Sequence, residues 1–548
     1  MEGGNMSYSI KTGTGSGTGL ETTARFWKNH RSVNMEDTKL KYSGIPLDVK
    51  DGKVAFSEPE THCMVCGVSG RGKTRRELYP TVILSARAGR SFVIADMKGE
   101  IYRHTAAEVS LCGHDIRVIN LRTPSKGDRF NPFALVQSYW DNGDRSRAMI
   151  LLKDICSLVT SKVHSERDKF WEIAAMDAIM GFALLLLDRE APLTFDNIHS
   201  LFNQYFACKD SRTEFNKAFN KVDAEAIRRL ATVANLESDV TLSCIVSEVN
   251  SSLSCYIDQP DIRDLLSGSD FELTDIGRRP TAVYFICPDE STSLYGIASL
   301  FVEQSYSELI RYADEREDNR LPVKVDFILD EFGAFVGSDW PSKLTAARSR
   351  GIRFILAIQS MSQIVARYGE NGARTIMANC RTLVYMGGRD IRLMSEISTL
   401  SGYKEDPHTG LEKPVLSLND LMNLKTGEIV VLDDSGLSYI GHVPDWLEWN
   451  IRDKARLADK KRRFIPDDPV DLKKLLGIPG DAEHKQEEQE YDSGNPDPTD
   501  DEDPSDEDTD RLLRALADEA LRDPDAVRET EEFLKNTRNV DDDDDLPF

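Results

Sequence analysis

The stretch CMVCGVSGRGKT, Cys63 to Thr74, sets Gly67, Gly72, Lys73 and Thr74 at the GxxxxGK[ST] spacing of a phosphate-binding loop. The residues from Gly67 through Val68, Ser69, Gly70, Arg71 and Gly72 to Lys73 and Thr74 form the cradle. Glycines let the backbone wrap closely enough for successive N–H groups to point at a β-phosphate, Lys73 spans the β- and γ-phosphates, and the Thr74 hydroxyl ligates Mg²⁺. The expected cofactors are therefore ATP and Mg²⁺. A short apolar strand (Met64, Val65) precedes the loop, and RRELYPTVILSAR follows it as a helix that tolerates Pro80.

Working outward, the 548 residues suggest more than one domain, and 40 % hydrophobic content supplies a sizeable core. The net charge of −25 is concentrated at one end: residues 481–548 hold 27 acidic and 7 basic side chains, a balance of −20, which leaves −5 for the first 480. Nine cysteines lie scattered without a framework, as in a reducing cytosol. Cys63 and Cys66 form a CxxC, but an odd separation on a strand sends them to opposite faces, which argues against zinc or redox work. The run AIMGFALLLL (178–187) is closed by acids at 177 and 188 and is too short to span a bilayer, so it reads as a buried helix of a soluble chain.

Residues 1–20, rich in Gly, Ser and Thr, read as a flexible leader. KVAFS is a candidate edge strand ahead of the loop, and SFVIADMKGE and DIRVINLR are strands after it. From 137 to 270 helical periodicities follow one another without a convincing strand. Strand texture then returns in TAVYFICP, VKVDFILDEF, RFILAIQS, RTLVYMGG and GEIVVLDD. The expected fold is α/β: a P-loop domain with a parallel sheet (21–136 and 271–462), an inserted all-α domain (137–270), and a mostly disordered acidic tail (463–548).

VDFILDEF places Asp330 and Glu331 at a strand's end, where Asp330 can hold a water on Mg²⁺ and Glu331 can orient or deprotonate the attacking water. The plainer alternative is an exposed acidic turn. Gln359 closes RFILAIQS, either as a polar strand cap or as an amide that contacts the γ-phosphate or the water.

These residues carry a resemblance. Together with DMKGE (96–100), RFNPF (129–133), DKFWEIAA, LDEFGAF, ARSRGIRFILAIQSMSQI, NCRTLVYMGGRD and LNDLMNLKTGEIVVL, the chain resembles the coupling ATPases of type IV secretion and conjugation, the TraG/TraD-like DNA pumps, over roughly residues 20–450. The resemblance implies a RecA-like motor and an all-α domain facing incoming DNA and relaxase. It also implies a homo-hexamer whose pore admits single-stranded DNA, and contact with the ATPases of the secretion channel. Lys73 and Thr74 match the phosphate-loop residues, Asp330 and Glu331 the second motif, Gln359 the sensor glutamine, and Arg348 the arginine offered to a neighbouring subunit's nucleotide. The plainer role for Arg348 is pairing with acids on a helix. Family members usually begin with a transmembrane anchor, and this chain starts about where that segment ends; either the anchor was removed or docking at the inner face of the membrane is expected through a partner or a separately encoded anchor. Arg71 stands where a small residue is usual. A double-stranded DNA translocase, which would lack DMKGE, RFNPF and the helical insertion, and a nucleotide-binding adaptor without motor activity are the alternatives.

Substrate selection is expected in the insertion, around an apolar frame of Phe170, Trp171, Phe182 and 184–187, with Phe170 and Trp171 alternatively read as base-stacking aromatics. The chain stops at DDDDDLPF. Asp541–Phe548 resembles the tip of bacterial single-stranded-DNA-binding proteins and implies docking on host enzymes that bind that tip; the plainer reading is a solvated acidic end.

Overall fold

The computed structural model describes residues 20–478 apart from 161–168, 208, 219–224, 227, 231–238, 291, 336–339, 406–409, 434–437, 450–456, 458–461 and 463–468. Residues 479–548, and with them the acidic run and its tip, lie outside the described residues, as do residues 1–19. The described residues belong to one compact unit.

Strands β1 (Arg31–Asn34), β2 (Pro46–Lys50) and β3 (Lys53–Phe56) form a small antiparallel sheet in the order β1-β3-β2. KVAFS is thus the centre of its own sheet rather than an edge, because the turn at Asp51 and Gly52 folds β2 back with Lys50 opposite Lys53.

The main sheet collects β4 (His62–Cys66), β5 (Ser91–Asp96), β6 (Asp115–Asn120), β7 (Thr281–Ile286), β8 (Val325–Leu329), β9 (Ile352–Ile358) and β10 (Cys380–Tyr385). A hairpin, β11 (Tyr403–Glu405) with β12 (Glu412–Pro414), stands apart, and β13 (Glu428–Leu432) and β14 (Ser438–His442) rejoin the main sheet. Its order is β14-β13-β10-β4-β9-β8-β5-β7-β6, parallel from β10 to β6 and antiparallel at the β13–β14 end. Strands covered on both faces are largely apolar, which is why they read as hydrophobic runs, with the buried Asp326 of β8 and Arg353 of β9 as charged exceptions. On β4, Cys63 and Val65 enter one core and Met64 and Cys66 the other, the opposed faces expected of the CxxC.

Between the adjacent strands β6 and β7 the chain is helical: Ala134–Asp141, Arg145–Thr160, Lys169–Asp188, Phe195–Phe206, Lys209–Ala218, Asp239–Ile257, Pro260–Leu266 and Asp275–Arg278. Arg129 of RFNPF closes entry to exit. Its guanidinium meets Asp270 at 2.9 Å, and its N–H donates to the same carboxylate at 2.8 Å. Among the described residues one helix, Phe170–Asp188, is long and apolar enough to cross a membrane by length and composition, longer than the run read from the sequence. Phe182 and Leu184 to Leu187 are buried within the protein core. The apolar frame begins later than expected: Phe170 and Ile173 are each 55 % exposed and Trp171 is only half-buried, so Phe170 is no part of it.

Two features escape the linear pattern. Lys73–Leu78 is a π-helical turn, with the Tyr79 N–H donating to the Thr74 carbonyl, and the α-helix proper is Tyr79–Arg87. Pro80 therefore sits in the first turn, where its missing N–H costs nothing. Beyond the boundary at 462, Leu472 and Leu476 of the helix Leu472–Leu476 are buried in the main core, and the Leu472 N–H donates to Gln204 at 2.6 Å.

Candidate functional site

The phosphate loop joins β4 to the π-turn at the C-terminal end of the parallel strands. Gly72 caps the turn with φ +90°, a conformation that a side chain would strain. Lys73 is buried, and its Nζ donates to the Gly67 carbonyl at 2.6 Å, closing the loop on itself. Arg71 leaves the cradle: its Nη1 donates to the Leu424 carbonyl at 2.9 Å. Space for that comes from Gly387, where a Cβ would lie 3.1 Å from the guanidinium and φ is +98°.

Two strands bring the acids and the amide to this loop. Asp330 follows β8, and Thr74 Oγ1 donates to its Oδ2 at 3.4 Å. Glu331, next along, sits in the left-handed region at φ +54° with its N–H donating to Asp330 Oδ1 at 3.1 Å. Gln359, leaving the neighbouring strand β9, donates from Nε2 to Glu331 Oε1 at 2.6 Å. Lys73, Thr74, Asp330, Glu331 and Gln359 line one cleft of about 490 Å³.

The cleft holds residues that the motif reading passed over. Asp96 and Glu100 of DMKGE line it, with Asp289, Tyr295 and Gln363. Asp96 closes β5 and accepts the Tyr102 N–H at 2.8 Å; burial pushes its carboxyl up to about 6 against the backbone N–H groups that favour the charge. Burial, and then the charge of Glu331, push Asp330 up to about 7, with Lys73 pulling the other way and Asp96 adding to the rise. The signal for Asp96 was present in the sequence as a polar residue ending a buried strand.

Among the described residues no cluster of three or more His, Cys, Asp or Glu side chains could hold a metal unaided. The donor set nevertheless fits Mg²⁺. It offers one hydroxyl and one carboxylate, both hard oxygens, beside a phosphate cradle, and Mg²⁺ binds through one or two protein oxygens with phosphates and waters completing its octahedron. Crowded acids that raise one another's pKa are what an incoming cation relieves.

A family model described as type IV secretory system, conjugative DNA transfer, matches residues 18–404. The chain belongs to that family. Among curated relatives of the conjugative DNA transfer family, Protein VirD4 of Rhizobium radiobacter is 23 % identical over 356 residues, 64 % of this chain and 49 % of its own length. The type IV secretion system-coupling protein VirD4 of Bartonella quintana is 25 % identical over 191 residues, 34 % of this chain and 29 % of its own. The chain thus spans half or less of these relatives. Two solved structures share the fold: the plasmid coupling protein TrwB with the ATP analogue ADPNP (TM-score 0.59, 16 % identity, 81 % of this chain and 96 % of that one) and TrwB with ADP and Mg²⁺ (TM-score 0.54, 15 %, 80 % and 96 %). The architecture is accordingly the RecA-like P-loop fold of the conjugative coupling proteins.

In this member of the family Arg348 lies elsewhere. It stands before β9, exposed, in a second cavity of about 540 Å³ with Arg320, Lys324 and Arg381, at the N-terminal ends of the strands. The seven residues of β9 span roughly 23 Å at about 3.3 Å each, so Arg348 and Gln359 face opposite ends of the sheet.

Proposed function

We propose that this member of the coupling family binds ATP with Mg²⁺ in the cleft, hydrolyses it, and uses the energy to drive relaxase-bound single-stranded DNA into a type IV secretion channel. One observation carries the reading: phosphate-loop lysine and threonine, two acids and an amide, brought from β4, β8 and β9, converge on a single cleft at the C-terminal ends of parallel strands. Ligands of open α/β sheets bind at that end.

Each residue has a task. The loop N–H groups and Lys73 hold the phosphates, and Thr74 and Asp330 hold Mg²⁺, which when bound neutralises charge on the phosphates. Glu331 accepts the proton of the attacking water, and Gln359, donating to Glu331, orients both. Arg348 is too far from the cleft of its own chain and serves a neighbour's nucleotide in a homo-hexamer. The helices between β6 and β7 form the module that meets DNA and relaxase. Partners in the secretion machinery hold the ring at the inner face of the membrane.

Steady-state ATP turnover with single-stranded DNA, double-stranded DNA and no DNA tests this. Stimulation by single strands is expected. Preference for duplex would favour a double-stranded translocase, and binding of ATP without turnover in any arm would leave a nucleotide-binding adaptor.

A further inference from the structure

Gln359 directly follows β9 and a helix begins two residues later at Met361, so whatever holds that first turn sets the aim of the glutamine. The holder comes from after β10. Asp390 Oδ2 accepts the Met361 N–H at 3.0 Å and the Ser360 hydroxyl at 3.0 Å. The same hydroxyl accepts the Ser362 N–H at 3.1 Å. The other oxygen, Oδ1, accepts the Leu393 N–H at 3.1 Å and so caps the helix Ile391–Leu400. One carboxylate thus satisfies the orphan donors, and meets the positive ends, of two helices. A serine or threonine hydroxyl could not reach both, whereas two oxygens with paired lone pairs can.

The loop that carries Asp390 is also fastened to the phosphate loop. The Met386 N–H donates to the Cys66 carbonyl at 2.8 Å, and the Val68 N–H donates to the Gly387 carbonyl at 3.2 Å. Gly388 packs so closely on Val68 that a Cβ there would lie 3.1 Å from its Cγ1. Only residues 388 and 389 separate this seam from Asp390.

We propose that Asp390 is a positioning residue for ATP hydrolysis: its carboxylate holds Gln359 against Glu331 and ties both to the wall of the phosphate loop, so that the amide and the phosphates move as one body. This rests on the roles assigned to Gln359 and Glu331 under Proposed function. A cap that served stability alone would leave turnover untouched once folding is matched.

The test uses the full chain, measuring ATP turnover, KM for ATP, the Kd of a fluorescent ATP analogue and the melting midpoint. Asp390→Ala is expected to lower kcat by about tenfold to a hundredfold, the scale of a displaced reacting group, with KM and Kd within about twofold. Asp390→Asn, which keeps one acceptor oxygen, should recover part of the rate. Ser417→Ala removes the cap of the helix Leu418–Met422, away from the glutamine, and should lower the midpoint while leaving kcat intact. Asp390→Ala added to Gln359→Ala should cost no further rate, since the carboxylate acts through the amide. The proposal is overturned by an unchanged kcat in Asp390→Ala, by losses that multiply in the double variant, or by a matched slowing in Ser417→Ala. If Gln359→Ala itself turns over normally, the role assigned to Gln359 fails together with this one; if it is slow and Asp390→Ala is not, only this inference fails.

Discussion

Gln359 Nε2 donates to Glu331 Oε1 at 2.6 Å, locking together the ends of the neighbouring strands β8 and β9. Glu331 holds that position at φ +54°, and a non-glycine residue in this region carries strain of about 1–3 kcal/mol that the surroundings must sustain. Glu331→Gln should slow turnover by about 10²- to 10⁴-fold, the range for a removed general base, with nucleotide affinity preserved. Glu331→Asn, better suited to the left-handed region, should melt at or above the parent while being equally slow. Calorimetry and single-turnover kinetics read the two effects separately.

The proposed service of Arg348 to a neighbouring subunit predicts that hydrolysis depends on assembly. Arg348→Ala and Glu331→Gln subunits, each nearly inactive alone, should regain activity when mixed, because some interfaces then pair an intact Arg348 with an intact cleft. An arginine supplied in trans is worth about 10³ to 10⁵ in rate. Activity that stays flat at every mixing ratio would refute the shared site.

Arg71 leaves the loop's cradle and reaches the Leu424 carbonyl. Arg71→Ala should therefore keep nucleotide affinity within a few-fold and lose about 1 kcal/mol of stability with its hydrogen bond. Gly387→Ala should be worse on both counts, since its methyl meets the guanidinium at a positive φ. Lys73→Ala gives the contrast, with binding lost; equilibrium titration of a fluorescent nucleotide ranks the three.

The opposite end of the sheet predicts an acid response. The Phe354 N–H donates to His62 Nδ1 at 2.9 Å, so the proton sits on Nε2, which donates to the Leu344 carbonyl at 2.7 Å. A second proton on the ring would put donor against donor. Burial, then the nearby charges of Arg353 and Arg348, hold the imidazole down at about 4, outweighing the pull of the Leu344 carbonyl. An unfolded imidazole titrates near 6.5, so between about 6.5 and 4 the unfolded chain binds a proton that the fold refuses, and the contribution of His62 to stability is lost as the pH falls. Asp326 adds a second step. Burial alone would raise it, but the Arg353 and Arg90 guanidinia prevail and hold it at about 2, below the unfolded value of about 3.9. Its contribution, present above about 4, is lost between about 4 and 2. Asp96 and Asp330, raised to about 6 and 7, oppose the first step over the same range, so it is read as the difference in urea midpoint between the parent and His62→Gln, which can still accept and donate, from pH 8 to 4; the Asp326 step follows in both proteins down to pH 2.

The boundary between what the chain shows and what the fold decides follows contact range. The phosphate loop was readable because its cradle is continuous backbone, a function of the eight adjacent residues Gly67 to Thr74. The strands β4 to β10 were readable because burial favours largely apolar runs, and Asp330, Glu331 and Gln359 because a polar residue ending such a run faces the sheet's open end. The π-turn that lets Pro80 stay in its helix, the exposure of Phe170, and the approach of Asp96 to Asp330 were not readable. The same holds for the buried pairing of Asp326 with Arg90 and Arg353, and for Asp390 capping two helices. The approach of Asp96 to Asp330 and the pairing of Asp326 with Arg90 and Arg353 depend on strand order, since β5 becomes the neighbour of β8 across more than two hundred residues. Local sequence specifies torsion angles and which groups must be buried or exposed; it carries no measure of which distant donor will meet a given acceptor. Residue types and their spacing thus supply the chemistry available to the nucleotide cleft, and the packing of distant elements selects which side chains hold that chemistry in place.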